Sequence, residues 1–137
     1  MAKNRLIIII GLPGSGKTYI MNKLNNFIIF DDFIQSFYDG NLIDLIKAGN
    51  KVCITDPRLC LPNIFNIYIK KILKYITIKQ IFIILFENNP KQCLINIKHR
   101  NDNRRLVADT IINYSKYYNL THYINFRHKI LPVYAKK

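Results

Sequence analysis

The stretch that decides the fold is residues 7–20, which read IIIIGLPGSGKTYI. Four consecutive isoleucines are typical of a strand that is buried on both faces. The run ends at Gly11, and residues 11–18 match the pattern G-x-x-x-x-G-K-[ST] at every fixed position. A random glycine-rich turn is the alternative. However, a strand before the loop and a helical pattern after it are the context that a phosphate-binding loop requires. We therefore predict a P-loop with a Walker A motif.

The residue types of this loop fit a nucleoside triphosphate. Glycines let the backbone turn tightly, so that successive N–H groups point at phosphate oxygens, and the following helix adds the positive end of its dipole. Lys17 is expected to place its charge between the β- and γ-phosphates, and Thr18 to offer a hydroxyl to Mg²⁺. The expected ligands are ATP and Mg²⁺. The predicted nucleotide-binding residues of the loop are Gly11, Pro13, Gly14, Ser15, Gly16, Lys17 and Thr18.

Strand-like and helical patterns alternate along the rest of the chain. Apolar runs predict strands at residues 5–10, 27–30, 51–55 and 79–86, with a fifth within residues 121–134. Helices are predicted at residues 17–25, 33–37, 42–48, 62–75, 90–99 and 108–118. Such alternation implies right-handed crossovers and a parallel sheet. We predict an α/β fold in a single domain spanning residues 1–137. It is a P-loop NTPase of the nucleoside-monophosphate-kinase-like type, with four or five parallel strands flanked by helices.

Composition restricts the partners. The 137 residues include 21 Lys and Arg against 8 Asp and Glu, and this net charge of +13 favours a polyanion such as nucleic acid. Composition bias is the alternative, because Ile, Asn, Lys and Tyr are abundant throughout. No apolar stretch reaches the length of a membrane span, and the apolar run before Gly11 is too short for a signal peptide. Three cysteines without C-x-x-C spacing predict reduced thiols. We expect an intracellular, cytoplasmic protein without a membrane partner.

Carboxylates follow two of the predicted strands, and the carboxyl ends of parallel strands meet at the edge of a sheet where ligands bind. Asp31 and Asp32 follow the second strand, and one of the pair can accept the proton of an attacking hydroxyl while the other caps the next helix. Asp56 ends the third strand like a Walker-B aspartate, which holds Mg²⁺ through water. The alternative for Asp56 is a turn residue before Pro57. We predict Asp31, Asp32 and Asp56 as substrate-site residues, and Thr18 and Asp56 as metal-site residues.

A basic segment at about residues 99–106 is predicted to close over the triphosphate as a lid. Arg100 and Arg104 are four residues apart and share a helical face if the helix continues, so both are predicted to contact the nucleotide. An arginine in this position stabilises charge on the transferred group. A solvated basic face or a nucleic-acid patch is the alternative. Further along, Tyr114, Tyr117 and Tyr118 can stack on bases, although their helical spacing favours packing.

Together these motifs resemble the kinase domain of phage-type polynucleotide 5′-hydroxyl kinases. The similarity is carried by the loop, by DDFIQS at residues 31–36, by Ile54-Thr55-Asp56 and by Arg100-Asn101-x-x-Arg104. It spans about residues 5–120. The resemblance implies transfer of the γ-phosphate of ATP to the 5′-hydroxyl end of DNA or RNA, as in nucleic-acid repair. It also implies a viral or phage origin, with action in a host cell.

The resemblance also implies roles for single residues. Asp31 is the general base on the 5′-hydroxyl, and Lys17 holds the ATP phosphates. Arg104 is the lid arginine that faces the triphosphate, and Arg100 supports that lid. Asp56 belongs to the network around magnesium. The predicted catalytic residues are therefore Lys17, Asp31 and Arg104.

Two features depart from that family. The family has an arginine that contacts the acceptor phosphate where this chain has Ile34, and the segment between the second and third strands is shorter, from Asp31 to Asn50. A shorter segment leaves a more open acceptor site. Two alternatives therefore stay open. One is a small-molecule kinase with a nucleoside, nucleotide or sugar acceptor, and the other is a nucleotide- or nucleic-acid-binding module with little catalysis. Residues 31–50 contain no arginine and a single lysine, Lys47, which counts against a monophosphate acceptor.

Overall fold

The fold was analysed in a computed structural model, which describes residues 4–34, 41–100 and 105–135. The strands in these segments are β1 (Leu6–Ile10), β2 (Ile28–Asp31), β3 (Val52–Thr55), β4 (Ile81–Phe86) and β5 (Arg127–Leu131). They form one sheet in the order β2-β3-β1-β4-β5, and every neighbouring pair is parallel. This confirms the predicted α/β class, with a parallel sheet of up to five strands flanked by helices.

The order of the strands determines where a ligand site is expected in this sheet. β1 lies at the centre of the sheet. The chain runs to β2 and β3 on one side of β1, and later to β4 and β5 on the other. Ligands of open parallel sheets bind outside the carboxyl ends of the strands, at the point where the order reverses. The loop at residues 11–18 follows β1 directly, so it lies at that point.

Five helices lie in the described segments. They are α1 (Lys17–Met21), α2 (Asn41–Lys47), α3 (Pro62–Ile72), α4 (Pro90–His99) and α5 (Arg105–Ser115). Proline occupies the first helical position of α3 and α4, where its missing N–H costs nothing. The side chain of Asn89 caps α4 by accepting a hydrogen bond from the N–H of Gln92 at 3.1 Å. Gly49, with a φ of +91°, ends the turn that follows α2.

Several predicted element boundaries shift. α1 ends at Met21 and not at residue 25, because the asparagine-rich stretch 22–26 forms turns. α3 ends at Ile72, and α5 begins at Arg105, three residues before the predicted start. A short 3₁₀ turn at Ile78–Gln80, capped reciprocally by Thr77 and Gln80, delays the start of β4. The predicted helix at residues 33–37 lies partly outside the described residues.

The two faces of the sheet are covered unequally. On one face, alternate residues of β1, β3 and β4 join a large buried cluster that includes side chains of α2, α3, α4 and α5. On the other face, Ile7, Ile9 and Ile84 belong to a smaller cluster with Met21 of α1. Leu24 and Phe27 pack against that smaller cluster. The loop at residues 11–18 therefore leads into the thinner of the two layers.

Candidate functional site

A cleft of about 530 Å³ opens at the carboxyl edge of the sheet. A volume of this size is typical of small-molecule sites. The cleft is lined by the loop after β1, the end of β2, the residue after Asp56 and the last turn of α4. The predicted site residues that line it are Pro13, Gly14, Gly16, Lys17, Thr18, Asp31, Asp32 and Arg100.

Backbone geometry explains the glycines of the loop. Gly14 has a φ of +83° and Gly16 a φ of +112°, conformations that L side chains rarely adopt. A Cβ atom on Gly14 would lie 2.8 Å from the carbonyl oxygen of Cys93 in α4. One on Gly11 would lie 2.5 Å from the hydroxyl oxygen of Ser15. The loop is therefore packed too closely for side chains at these positions.

Lys17 is the first residue of α1, and its side chain folds back over the loop. Its Nζ donates hydrogen bonds to the carbonyl oxygens of Gly11 and Leu12, at 2.7 and 2.8 Å. Burial lowers the pKa of the Lys17 ammonium, while the nearby Asp31 carboxylate acts in the opposite direction. An anion in the cleft would compensate for this burial, and the predicted phosphate-binding role of Lys17 would supply one.

Ser15 carries an unsatisfied polar atom inside the loop. Its side chain is buried, and its hydroxyl oxygen has no hydrogen-bond partner among the described residues. Leaving a buried polar group unpaired costs about 1–3 kcal/mol. A ligand rich in oxygen atoms would remove that cost, so this orphaned hydroxyl fits a phosphate-binding role for the loop.

Two groups distant in sequence hold the loop in place. The side-chain amide of Asn96 in α4 donates to the carbonyl oxygens of Gly14, at 2.8 Å, and of Tyr134, at 2.6 Å. The main-chain N–H of Tyr134 donates to the carbonyl oxygen of Ser15 at 3.0 Å. The 132–135 segment after β5 therefore crosses the loop and is fixed to it. The half-exposed ring of Tyr134 lines the cleft, and its centroid lies 6.3 Å from that of Tyr19.

The two carboxylates after β2 reach the same cleft. Asp31 is the last residue of β2 and pairs in register with Thr55 of β3. Asp32 has a φ of +51°, a left-handed conformation that Asp tolerates better than most residues. Burial raises the pKa of Asp32, and the charges of Asp31 and Asp56 raise it further. The cleft thus brings the loop at residues 11–18 and a carboxyl pair together.

Asp56 is buried and does not line the cleft. Its Oδ1 accepts hydrogen bonds from the N–H and the Nε of Arg58, both at 2.9 Å, and its Oδ2 accepts one from Nη2 of Arg58 at 2.8 Å. The side chain therefore caps the 3₁₀ turn Pro57–Cys60 and forms a bidentate ion pair. These contacts match the turn-residue alternative for Asp56, while its predicted role near magnesium stays a prediction.

The lid prediction falls partly on the described residues. Arg100 follows the last residue of α4 and lines the cleft, next to His99. Arg104 and its neighbours at residues 101–103 lie outside the described residues, so the contact of Arg104 with the nucleotide stays a prediction. The chain is described again from Arg105, where α5 begins.

Four residues that line the cleft were not predicted as site residues: Pro57, Asn96, His99 and Tyr134. The sequence contained a signal for two of them, Asn96 and His99, in their spacing from Arg100. Asn96, His99 and Arg100 are spaced three and four residues apart on α4, a spacing that places them on one helical face. No motif marks Tyr134, because it joins the site only through the path of the chain after β5.

Three further expectations concern residues outside the cleft. Tyr118 is buried, and its hydroxyl donates to the carbonyl oxygen of Phe86 at 2.5 Å, so it packs in the core. Tyr117 is 63% exposed. Ile34 belongs to the buried cluster, so its side chain packs in the core. The cysteines are all buried and unpaired with one another, and burial raises the pKa of the Cys60 thiol to about 12.

No group of three or more His, Cys, Asp or Glu side chains that could hold a metal occurs in the described segments. Magnesium bound to nucleotides generally takes only one or two protein ligands and completes its shell with phosphate oxygens and water. The exposed hydroxyl of Thr18 in the cleft fits that pattern. None of the helices described is long and apolar enough to cross a bilayer.

Comparison with known proteins gives one informative match. No protein-family model matches the sequence. The chain is 44% identical over 134 residues to "Uncharacterized protein R277" of Acanthamoeba polyphaga mimivirus, an alignment that covers 95% of this chain and 97% of the relative. Similarity of this extent over nearly complete lengths requires a shared fold and ancestry. The chain therefore belongs to the same family as this mimivirus protein.

Proposed function

We propose that the protein is a phosphotransferase with a P-loop NTPase fold that moves the γ-phosphate of ATP to the 5′-hydroxyl end of a polynucleotide. One observation carries the proposal: Gly14, Lys17 and Thr18 line the same cleft as the carboxylates Asp31 and Asp32. Transfer of a phosphoryl group to an alcohol requires anion-binding groups and a proton acceptor within one site. The position of the loop after the central strand supports the same fold assignment.

The residues present fit ATP and magnesium. When bound, ATP supplies the phosphoryl group and Mg²⁺ neutralises charge on its phosphates. The orphaned hydroxyl of Ser15 and the left-handed Gly14 and Gly16 favour an anion within the loop. Thr18 offers a hydroxyl to the metal, and the ring of Tyr134 offers an apolar surface for the base.

The chain's own residues then perform three tasks. Asp31 takes the proton of the acceptor hydroxyl, and the oxygen of that hydroxyl forms a bond to the γ-phosphorus. At the same time the bond between the γ-phosphorus and the bridging oxygen of the β-phosphate breaks, and ADP leaves. Lys17 and Arg100 stabilise negative charge on the phosphates, and Arg104 completes the lid. Asp32 supplies a second carboxyl group beside Asp31. Its pKa is raised, mainly by burial, which makes its carboxylate more basic, so Asp32 is the alternative base.

The acceptor is proposed from charge. A net charge of +13 suits a polynucleotide better than a small neutral alcohol. Because Ile34 is buried in the core, the acceptor phosphate needs another cation at this edge of the sheet. The side chain of Arg58 is 45% exposed. Asp56 accepts hydrogen bonds from its Nε and Nη2, and Nη1 has no hydrogen-bond partner among the described residues. Arg58 is our candidate for that contact.

An acceptor screen tests the proposal. Purified protein is incubated with γ-labelled ATP and Mg²⁺, and with 5′-hydroxyl DNA, 5′-hydroxyl RNA, nucleosides, nucleoside monophosphates or sugars. We expect label on the polynucleotides, loss of transfer in Lys17→Ala, and loss of transfer with retained ATP binding in Asp31→Asn. Strands that already carry a 5′-phosphate are the control acceptors. Label on a small molecule and none on either polynucleotide would refute the assignment.

A further inference from the structure

The thinner layer of the sheet carries a basic surface that the proposed reaction does not use. In the register of β4 and β5, Arg127 pairs with Phe82 and Lys129 with Ile84, so both cations share the face of Ile84. Ile84 belongs to the smaller buried cluster, together with Cys53. Lys51 lies two residues before Cys53, and Lys23 follows α1, which covers this layer. We call these four cations the basic face: Lys23, Lys51, Arg127 and Lys129.

Aromatic rings lie under three of these cations. The ammonium of Lys23 is 4.2 Å from the centroid of Tyr19, that of Lys51 is 5.9 Å from Phe27, and the guanidinium of Arg127 is 5.9 Å from Phe82. Lys23, Lys51 and Lys129 are exposed, and the ring of Tyr19 is 57% exposed. Rings that alternate with cations are what sequence-tolerant single-strand binders use, since bases stack on rings while phosphates meet the charges.

Charge is distributed unevenly between the two layers. Of the acidic residues in the described segments, three lie at or beside the cleft: Asp31, Asp32 and Asp56. The others are Asp44 on α2, Asp109 on α5 and Glu87 directly after β4. Among the acidic residues of the described strands, Asp31 alone stands on the same face as the four cations, at its carboxyl end. A polyanion is the partner that this surface complements.

We infer that the basic face binds a single strand of nucleic acid and leads it to the cleft. Ile29 pairs with Cys53 in the sheet, so Asp31, two residues further along β2, stands on this same face at its carboxyl end. Tyr19 lies beside Tyr134 at the rim of the cleft. Five strands span about 19 Å between the outer axes, a width that a few nucleotides cross. The inference extends the proposed function to its substrate, but strand binding does not require the transfer step.

Binding measurements on charge-neutralised variants test the inference. The triple variant Lys23→Gln, Lys51→Gln, Lys129→Gln removes three exposed cations and leaves the hydrogen-bonded Arg127 in place. Its matched control, Lys47→Gln, Lys70→Gln, Lys74→Gln, removes three exposed cations from the helical layer. A short DNA strand labelled with fluorescein at its 3′ end reports binding by fluorescence anisotropy over a series of salt concentrations.

We expect the basic-face variant to bind the strand at least about tenfold more weakly than wild type at low salt. We also expect the slope of log K against log salt concentration to fall by about 2, at about 0.7 per phosphate contact. The control variant should stay near wild type. Equal losses in both variants, or no loss in the basic-face variant, would overturn the inference.

Three further arms separate neighbouring explanations. Tighter binding of a duplex of the same length would overturn the assignment to single strands. Anionic phospholipid vesicles form the second arm. If the basic-face variant no longer binds the vesicles but binds the DNA strand as wild type does, the surface binds membranes and the inference fails. The third arm is phosphoryl transfer by wild type. If no acceptor is labelled while strand binding depends on Lys23, Lys51 and Lys129, the proposed function fails and the inference stands.

Discussion

At the scale of single residues, Asp31 and Asp32 line the cleft side by side, and the proposed function gives the role of general base to Asp31. We expect Asp31→Asn to lower kcat for transfer by about 10²–10⁴-fold, because removing a general base costs that much, while ATP affinity is kept. Asp32→Asn should stay within about tenfold of wild type. Single-turnover transfer rates and equilibrium ATP titrations measure both effects. The opposite ranking of the two variants would make Asp32 the base.

Asp32 also makes a prediction about stability. Its pKa is raised in the folded protein, mainly by burial. Its ionised form therefore destabilises the fold, fully above the folded-state pKa and not at all below the ordinary value of 3.8. We expect Asp32→Asn to melt at a higher temperature than wild type at pH 7, with the difference vanishing near pH 3. Asparagine keeps the left-handed backbone, so strain does not confuse the comparison. Thermal melts across pH measure it.

The part of the cleft formed by the loop was predictable residue by residue, and the remainder was not. The loop is a contiguous motif whose chemistry depends on main-chain N–H groups, so eight adjacent letters specify it. Asp56 shows the limit of such reasoning. Its position after β3 is right for a metal-site carboxylate, yet a residue only two positions away, Arg58, takes both of its oxygens. Side-chain pairing of this kind follows from rotamers and not from spacing.

At the scale of elements, α4 supports the loop through Asn96, and a second asparagine provides a control. Asn96→Ala removes hydrogen bonds to Gly14 and Tyr134 and should cost about 1–3 kcal/mol of unfolding free energy. Asn88→Ala removes two similar bonds, to the carbonyl oxygens of Ser115 and Tyr118. We expect similar losses of stability in denaturant melts, but weaker ATP binding only in Asn96→Ala. Equal ATP affinities would show that α4 does not shape the loop.

The 132–135 segment supplies an aromatic surface, and its contribution can be separated from folding. We expect Tyr134→Ala to raise KM for ATP several-fold while leaving kcat nearly unchanged, because a stacked base contributes equally to ground-state and transition-state binding. Tyr117→Ala, at a 63% exposed position in the turn after α5 that does not line the cleft, should leave both constants unchanged. Steady-state kinetics measure the difference. A fall in kcat alone would place Tyr134 nearer the chemistry.

Element types were easier to predict than element ends. Continuous apolar runs identified the first four strands. For β1, β3 and β4 the reason is that a strand buried on both faces needs no alternation, whereas β2 lies at the edge of the sheet and is largely exposed. Ends depended on local chemistry that competes with propensity. The asparagines after Met21 stop α1, and the Thr77–Gln80 cap pushes β4 two residues along the chain. β5, with exposed residues along its length, was visible only as a weak pattern.

At the scale of the whole molecule, net charge separates the candidate acceptors. A protein with a charge of +13 attracts a polynucleotide at long range, and salt screens that attraction. We expect kcat/KM for a DNA strand to fall steeply between about 50 and 200 mM salt, while kcat/KM for a nucleoside stays nearly constant. Parallel salt series with the two acceptors measure this. If kcat/KM fell equally with salt for both acceptors, the salt effect would come from ATP binding and not from the acceptor.

Sheet order was beyond the reach of sequence patterns. The alternation of strands and helices predicts a parallel sheet, but nothing in the runs states that β3 lies between β2 and β1. That arrangement brings Asp31 to the edge shared by the loop. It also leaves one layer of the sheet with little cover beyond α1 among the described helices, and so creates the basic face.

The 132–135 segment, which crosses the loop at residues 11–18, has a consequence for folding during synthesis. The loop occupies residues 11–18, yet Asn96 and the main chain of Tyr134 help to hold it. During translation the loop leaves the ribosome early. Its hydrogen bonds to Asn96 and to the main chain of Tyr134 can all form only after residue 134 has emerged. A nascent chain stalled within β5 should therefore bind nucleotide poorly, and the acquisition of affinity would mark the emergence of residue 134 from the ribosome.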